Sequence, residues 1–139
     1  MEDKKFFIGV KALFTDSRGR YLILRKVPHR PDHKWEPFWD IPGGKIRGDD
    51  SIPETLAREV KEETGVDELK IDSIFCLARA NFDLGTEKTG LFLLVYKCSL
   101  PKNLELKLSK EHDQYVWAEP AEAKRLLSYM FPKSFTDLL

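Results

Sequence analysis

Residues Gly44 to Val66 read GKIRGDDSIPETLAREVKEETGV, and the spacing of three carboxylates in this stretch, Glu59, Glu62 and Glu63, decides how the rest of the chain is read. Side chains three and four positions apart share one face of a helix, so a helix here sets the three side by side. Like charges at that spacing cost about 0.2–0.5 kcal/mol per pair. A divalent, oxygen-seeking cation such as Mg²⁺ would offset the repulsion and keep waters for a phosphate-bearing substrate. An acidic solvated face is the alternative that the helix pattern leaves open. The signals for the helix itself are strong. Ser51-Ile52-Pro53-Glu54 reads as a capping box with proline at an early position, and Gly65 is placed to end it. Leu56, Ala57 and Val60 supply an apolar stripe for packing on a sheet, while Glu54–Arg58 and Arg58–Glu62 are favourable i, i+4 pairs on the wet side.

Upstream, Phe6–Phe14 and Arg20–Val27 are apolar, β-rich runs separated by the turn formers Asp16, Ser17 and Gly19, which predicts two strands joined by a short hairpin loop. The second run ends in Arg25 and Lys26, which either solvate a strand edge or, in the case of Arg25, meet a substrate phosphate. Val27–Asp40 holds Pro28, Pro31 and Pro37 and suits a loop that covers a site. His29 and His33 have the spacing of a zinc pair, but the prolines argue against the helix that spacing requires. Trp35, Phe38 and Trp39 read as wall and core residues, with Trp39 the candidate for stacking on a nucleobase. Pro42-Gly43-Gly44 is by itself an ordinary turn.

Downstream, Leu69–Phe82 and Thr89–Cys98 look like strands linked by a loop over residues 83–88. Gly90–Val95 is nearly continuous in apolar character, as expected of a strand buried on both faces in a sheet with helices on each side. A polar segment, Pro101–Gln114, leads to a short strand at Tyr115–Ala118, an amphipathic helix at Ala121–Met130 and a final turn or short helix in Pro132–Leu139.

The chain has 139 residues, 42% of them hydrophobic, which fits one folded domain over residues 1–139. Twenty-three basic residues balance twenty-three acidic ones, so no global field draws it toward nucleic acid or an anionic membrane. Its opening apolar run is interrupted by Lys11, too little for a signal peptide or a membrane span, and the expected location is cytoplasmic. Cys76 and Cys98 lie in strand-like runs without ligand spacing and read as buried free thiols.

Residues 44–66 resemble the Nudix box, G-x5-E-x7-R-E-U-x-E-E-x-G-U with U aliphatic. Gly44 opens the pattern, Arg58-Glu59-Val60 supplies R-E-U, Glu62-Glu63 the acidic pair and Gly65-Val66 the close. Asp50 stands where the pattern has Glu, one methylene shorter, which puts its pairing, with Arg58 the natural partner, in question. Trp39-Asp40-Ile41-Pro42-Gly43-Gly44-Lys45 and Glu111-His112-Asp113-Gln114-Tyr115-Val116-Trp117 are similar to the W-x-x-P-G-G-K and E-H-x-x-Y-x-W stretches common in that family.

The resemblance implies an α/β/α sandwich with a mixed β-sheet between helices, and hydrolysis of a nucleoside diphosphate linked to another moiety by water attack at phosphorus. It implies Mg²⁺, with Mn²⁺ as a substitute, held by Glu59, Glu62, Glu63 and the carbonyl of Gly43. Arg58 is then a residue that steadies the carboxylates, Glu59 or Glu111 takes the proton, and Arg25, Lys45, Trp39 and Asn81 are the substrate-binding candidates, Lys45 through a phosphate. The downstream proline and tyrosine tags of the diphosphate-sugar and dinucleoside polyphosphate branches are absent from Ala80-Asn81-Phe82-Asp83-Leu84, so a nucleoside triphosphate, oxidised forms included, is the expected substrate. Dinucleoside polyphosphate or ADP-ribose hydrolysis and a non-catalytic nucleotide-binding module are the alternatives. Partners are a small-molecule nucleotide and, as an open option, a second copy of the chain. Membrane and nucleic acid are not expected.

Overall fold

Seven strands and three helices, among the residues described, run in the order β1 (Phe6–Phe14), β2 (Tyr21–Lys26), β3 (Phe38–Asp40), β4 (Gly43–Lys45), α1 (Ile52–Thr64), β5 (Lys70–Arg79), β6 (Gly90–Ser99), β7 (His112–Ala118), α2 (Pro120–Leu127) and α3 (Lys133–Thr136). They come from a computed structural model that describes residues 2–101 and 105–139. The strands form two sheets, β4-β1-β6-β5 and β3-β2-β7. The first is mixed, because β1 runs parallel to β6 and antiparallel to β4. The second is antiparallel.

Strand alternation divides the core in two. Val10, Ala12 and Phe14 of β1 and Leu22 and Leu24 of β2 meet Leu56 and Val60 of α1, while Leu13, Ile23, Leu91, Leu93 and Val95 meet Ala123, Leu127 and Phe135 from α2 and α3. The sheets therefore lie between α1 on one side and α2 with α3 on the other, the α/β/α arrangement expected. β6 is an interior strand, paired with β1 and β5 on its two edges, but the burial expected on both faces of Gly90–Val95 is complete on one only: Leu91, Leu93 and Val95 are buried, Phe92 and Leu94 half-buried.

The α1 helix has the ends its sequence specifies. The Ser51 hydroxyl accepts a hydrogen bond from the Glu54 N–H and donates one to Oε1 of Glu54, and Gly65 closes the helix in the left-handed region at φ 76°. Its buried stripe differs by one position from expectation. Leu56 and Val60 are fully buried, Thr55 joins them, and Ala57 is exposed. Arg58 pairs with Asp50 and approaches Glu59, so the predicted Glu54–Arg58 and Arg58–Glu62 pairs are replaced.

Four other expectations change. β1 and β2 do not pair as a hairpin: they belong to different sheets, because β1 pairs with β4 and β6 and β2 with β3 and β7, and among the described residues only the bridge Thr15–Tyr21 joins the two runs. β3 and β4 stand where the sequence suggested loop and turn, because β2 and β1 supply ladders that three-residue segments cannot announce through their own alternation. β7 starts at His112 rather than Tyr115, since its pairing with β2 extends to Lys26. α2 stops at Leu127, short of Met130. Of the predicted polar segment, residues 102–104 lie outside those described. Cys76 is half-buried and Cys98 buried, both free. Among the described residues no helix is long and apolar enough to cross a membrane.

Candidate active site

A cavity of about 610 Å³ opens over the ends of β1, β2, β4 and β6, beside α1. Its position follows from sheet register. Gly9 and Lys11 of β1 lie opposite Lys45 and Gly43 of β4, and Gly9 lies beside Leu93 of β6. Side chains two apart on a strand share a face, which puts Lys11, Lys45, Leu91 and Leu93 on the cavity side.

Two glycines let α1 and β1 come this close. Gly43 has φ +146°, and a Cβ there would stand 2.0 Å from the carbonyl oxygen of Val10. A Cβ on Gly44 would stand 2.6 Å from the carboxyl carbon of Glu59. Pro42-Gly43-Gly44 thus sets the strand against the carboxylate helix.

The box carboxylates divide by depth. Glu59 and Glu62 line the cavity, as does Glu111 at the mouth of β7. Glu59 is half-buried, and burial first, then the neighbouring charges of Glu62 and Glu111, raise its proton affinity against the pull of Arg58 and Lys11. Glu63 lies beneath, 3% exposed, its Oε1 accepting the Gly43 N–H at 3.2 Å and its Oε2 3.7 Å from Nε2 of His112. Burial pushes Glu63 up to about 8 and His112 down to about 4. Their contact is therefore one between a carboxylic acid and a neutral imidazole near neutral pH, and Nδ1 of His112 has no hydrogen-bond partner among the described residues.

Alongside sits a buried ion pair that sequence reading missed. Lys11 Nζ lies 2.8 Å from Oδ2 of Asp40, with side chains 6% and 2% exposed. Burial opposes the Lys11 charge, but the charge of Asp40 and its hydrogen bond to the ammonium favour it, and the proton affinity of Lys11 stays raised. A lone lysine in the apolar run FFIGVKALF was the available signal.

Donor chemistry around this cavity is that of a hard divalent cation: carboxylate and carbonyl oxygens, with mutually repelling carboxylates that a cation would relieve. Among the described residues, no three His, Cys, Asp or Glu side chains are gathered tightly enough to hold an ion as they stand. Glu59, Glu62 and Glu63 would have to close on it from their places around and beneath the cavity.

The remaining site candidates separate by strand parity. Lys45 lines the cavity with its Nζ 4.6 Å from the centre of the Phe7 ring, and burial, then the charges of Arg47 and Lys26, lower its proton affinity. Arg25 does not line it. A β-bulge in β7 places Asp113 2.6 Å from the Arg25 guanidinium, and Lys26 faces the cavity instead. Trp39 packs into the core while its neighbours Phe38 and Asp40 share the cavity face. Asn81 is a structural clamp. Its side-chain amide donates to the carbonyls of Ser128, Tyr129 and Phe131 at 2.9–3.1 Å, which leaves no amide hydrogen free for a base. Arg58 lies on the cavity wall, held by Asp50. The shorter carboxylate of Asp50 therefore reaches its partner.

An apolar end completes the cavity. Phe38, Phe82, Leu84, Leu91, Leu93 and Met130 line it, and the Phe38 ring packs 5.6 Å from Trp35, 5.7 Å from Phe82 and 5.4 Å from Tyr129. The cavity is thus acidic at α1, basic along β2 and β4, and aromatic at its far end.

Comparison with known proteins agrees with this layout. The chain is 26% identical over 132 residues to a MutT-like protein from Streptomyces ambofaciens, a match that covers 95% of this chain and 76% of that one. It is 26% identical over 116 residues to the CTP pyrophosphohydrolase of Escherichia coli (strain K12), covering 84% and 78%. The chain spans 29% of the length of a further relative, an octanoyltransferase from Myxococcus xanthus. The crystal structure of a MutT protein from Methanosarcina mazei Go1 superposes with a TM-score of 0.75 at 28% identity, over 99% of this chain and 93% of that one. A model of the NUDIX domain matches residues 5–139, and the chain belongs to that family of hydrolases.

Proposed function

We propose that the protein hydrolyses a diphosphate bond in a nucleoside triphosphate or related nucleotide, with Mg²⁺, or Mn²⁺ in its place, as the required cation. The observation that carries this reading is one cavity that joins the box carboxylates Glu59 and Glu62 to the cations Lys26 and Lys45 and to the rings of Phe38 and Phe82. The relative named CTP pyrophosphohydrolase supports a triphosphate over a diphosphate sugar.

When bound, the divalent cation would neutralise phosphate oxygens and acidify the attacking water. Glu59 and Glu62 would hold it from the cavity wall and Glu63 from below, with the Gly43 carbonyl as a further oxygen donor. Arg58, anchored by Asp50, keeps Glu59 in position. Lys45 meets a phosphate. Phe38 and Phe82 receive the base by stacking, a contact that depends on no particular hydrogen-bonding edge. Proton removal from water falls to Glu59 or Glu111, both on the cavity wall. Glu111→Gln separates them, because loss of a general base costs about 10²–10⁴-fold in rate, while a near-normal variant assigns the step to Glu59. The same reading places the protein in the cytosol, acting on a small molecule and not on nucleic acid.

The test is nucleoside monophosphate or phosphate release over nucleoside triphosphates, dinucleoside polyphosphates and diphosphate sugars, with Mg²⁺ and with chelator. We expect metal-dependent turnover that Glu62→Gln abolishes in a folded protein. Turnover unaffected by chelator, or an active Glu62→Gln variant, would sink the assignment.

A further inference from the structure

Strand β3 ends at Asp40 and β4 begins at Gly43, so Ile41 and Pro42 alone carry the chain from one sheet to the other at this point. Residues 40–43 are all buried, and buried backbone groups need partners. Lys11 and Asp40 supply them. The ammonium of Lys11 donates to Oδ2 of Asp40 at 2.8 Å and to the Ile41 carbonyl at 3.4 Å, and Oδ1 of Asp40 accepts the Ile41 N–H at 2.7 Å. The Pro42 carbonyl accepts from the N–H of Ala12.

Gly43 is placed differently by the register. Bonds from the Ala12 N–H to the Pro42 carbonyl and from the Ile46 N–H to the Ile8 carbonyl make Ala12–Pro42 and Ile8–Ile46 hydrogen-bonded pairs, so Lys11 and Gly43 oppose one another as a non-hydrogen-bonded pair. The N–H and carbonyl of Gly43 therefore point away from β1. Its N–H is taken by Oε1 of Glu63, and its carbonyl is the oxygen read above as a cation donor. Lys11 fills the space that a side chain at Gly43 would need, since a Cβ there would stand 2.8 Å from the Lys11 Cα and 2.9 Å from its Cδ. One side chain thus covers Gly43 and ties down Asp40 and Ile41 behind it.

We propose that Lys11 and Asp40 are positioning residues for the cation site: they lock the Ile41-Pro42-Gly43 turn so that the Gly43 carbonyl and the Glu63 carboxylate keep their places for a divalent cation. The proposal rests on the hydrolase reading above, and it adds two residues that act through Gly43 and Glu63 rather than on the cation or the substrate. Stability alone does not account for the pair, because apolar residues of similar volume in place of a buried ion pair are often neutral or stabilising. Net charge does not account for it either, since the pair is internally neutral beside Glu59, Glu62 and Glu63. What the pair supplies is direction, because hydrogen bonds fix angles that apolar contacts leave free. Partners one step removed from metal ligands act on the metal in this way.

Mn²⁺ binding to the nucleotide-free protein, read by electron paramagnetic resonance, tests this without turnover. The Lys11→Met, Asp40→Asn double variant removes the ion pair with little change of shape, and we expect it to weaken Mn²⁺ binding by about 10–100-fold even where its stability has recovered. Asp40→Asn alone, which keeps an acceptor for the Ile41 N–H, should weaken binding less. Leu56→Ala, which loosens α1 away from the turn, should leave the Mn²⁺ affinity of the folded protein unchanged. In steady state the double variant should need correspondingly more Mg²⁺ for half-maximal turnover, with little change in KM for the nucleotide. Wild-type Mn²⁺ affinity in the double variant or in Asp40→Asn, or a loss in Leu56→Ala as large as in the double variant, would overturn the proposal and leave the hydrolase reading standing. The expected losses of affinity in a protein whose wild type turns over no nucleotide would overturn the hydrolase reading alone.

Discussion

At Glu63 burial and ligation make opposite demands. A carboxyl this deep favours its proton, and its affinity for it rises to about 8, whereas a divalent cation takes only the ionised form. Without metal, the folded state holds a proton that the unfolded chain releases near pH 4.5, so this group lowers stability as pH rises from there to about 8. His112 acts in the opposite sense, because it stays neutral when folded down to about 4 while the unfolded imidazole is charged below 6.5. Its contribution increases stability with pH only up to about 6.5. Between about 6.5 and 8 the Glu63 effect stands alone, with a slope of up to about 1.4 kcal/mol per pH unit. Thermal melts in chelator should therefore show Tm falling across that window, and the fall should vanish in Glu63→Gln and on addition of Mg²⁺. A metal-free Tm that climbs over the same range would contradict the buried-acid account.

Lys11 and Asp40 give a second prediction. Removing one member of a buried ion pair strands the other's charge, at a cost of about 3–5 kcal/mol. Lys11→Met should lose that much in denaturant unfolding, and the Lys11→Met, Asp40→Asn double variant should recover part of it. These residues show why the site was only partly legible in the sequence. Glu59, Glu62 and Glu63 could be read because helical spacing fixes their face. Arg25 and Trp39 each lie one residue away from the side chain that enters the cavity, Lys26 and Phe38, because which face of a strand meets the site is set by its partner strands and not by its own sequence.

At the scale of the element, α1 was legible from cap to cap, since capping box, proline, apolar spacing and terminal glycine all agree on one answer. Its attachment rests on Leu56 and Val60. Leu56→Ala should destabilise by about 2–5 kcal/mol, read by chemical denaturation, without shifting the KM of the surviving folded fraction. β3 and β4 were illegible because three residues cannot display a period. Their existence is decided by the strands they pair with. Asn81 was misread for a related reason: its partners, the carbonyls of Ser128, Tyr129 and Phe131, are distant in sequence and belong to the connection between α2 and α3. Asn81→Ala should cost about 1–3 kcal/mol, and because Phe82 and Tyr129 pack 5.6 Å apart beside that clamp, KM should rise along with the loss of stability. Phe82→Ala should instead raise KM by roughly tenfold, the worth of a stacked base, with a smaller effect on stability. Equal effects of the two variants on KM and Tm would remove the distinction between clamp and floor.

At the scale of the molecule, strands of both sheets and the helix α1 converge on one cavity, and its walls come from Gly9 near one end of the chain to Met130 near the other. The central pairing behind it, β1 alongside β6, joins Phe6 to Gly90 and Phe14 to Cys98. A contact between residues so far apart in sequence must close a long loop before it yields any stabilisation. During synthesis on the ribosome, β1 therefore waits for its parallel partner, and the half-made chain can cap α1 but cannot enclose a cavity. Refolding should be correspondingly slow for a chain of this size, slower than in helical bundles whose contacts are local, and cation-dependent protection of α1 from hydrogen exchange should appear only after β1 and β6 have paired.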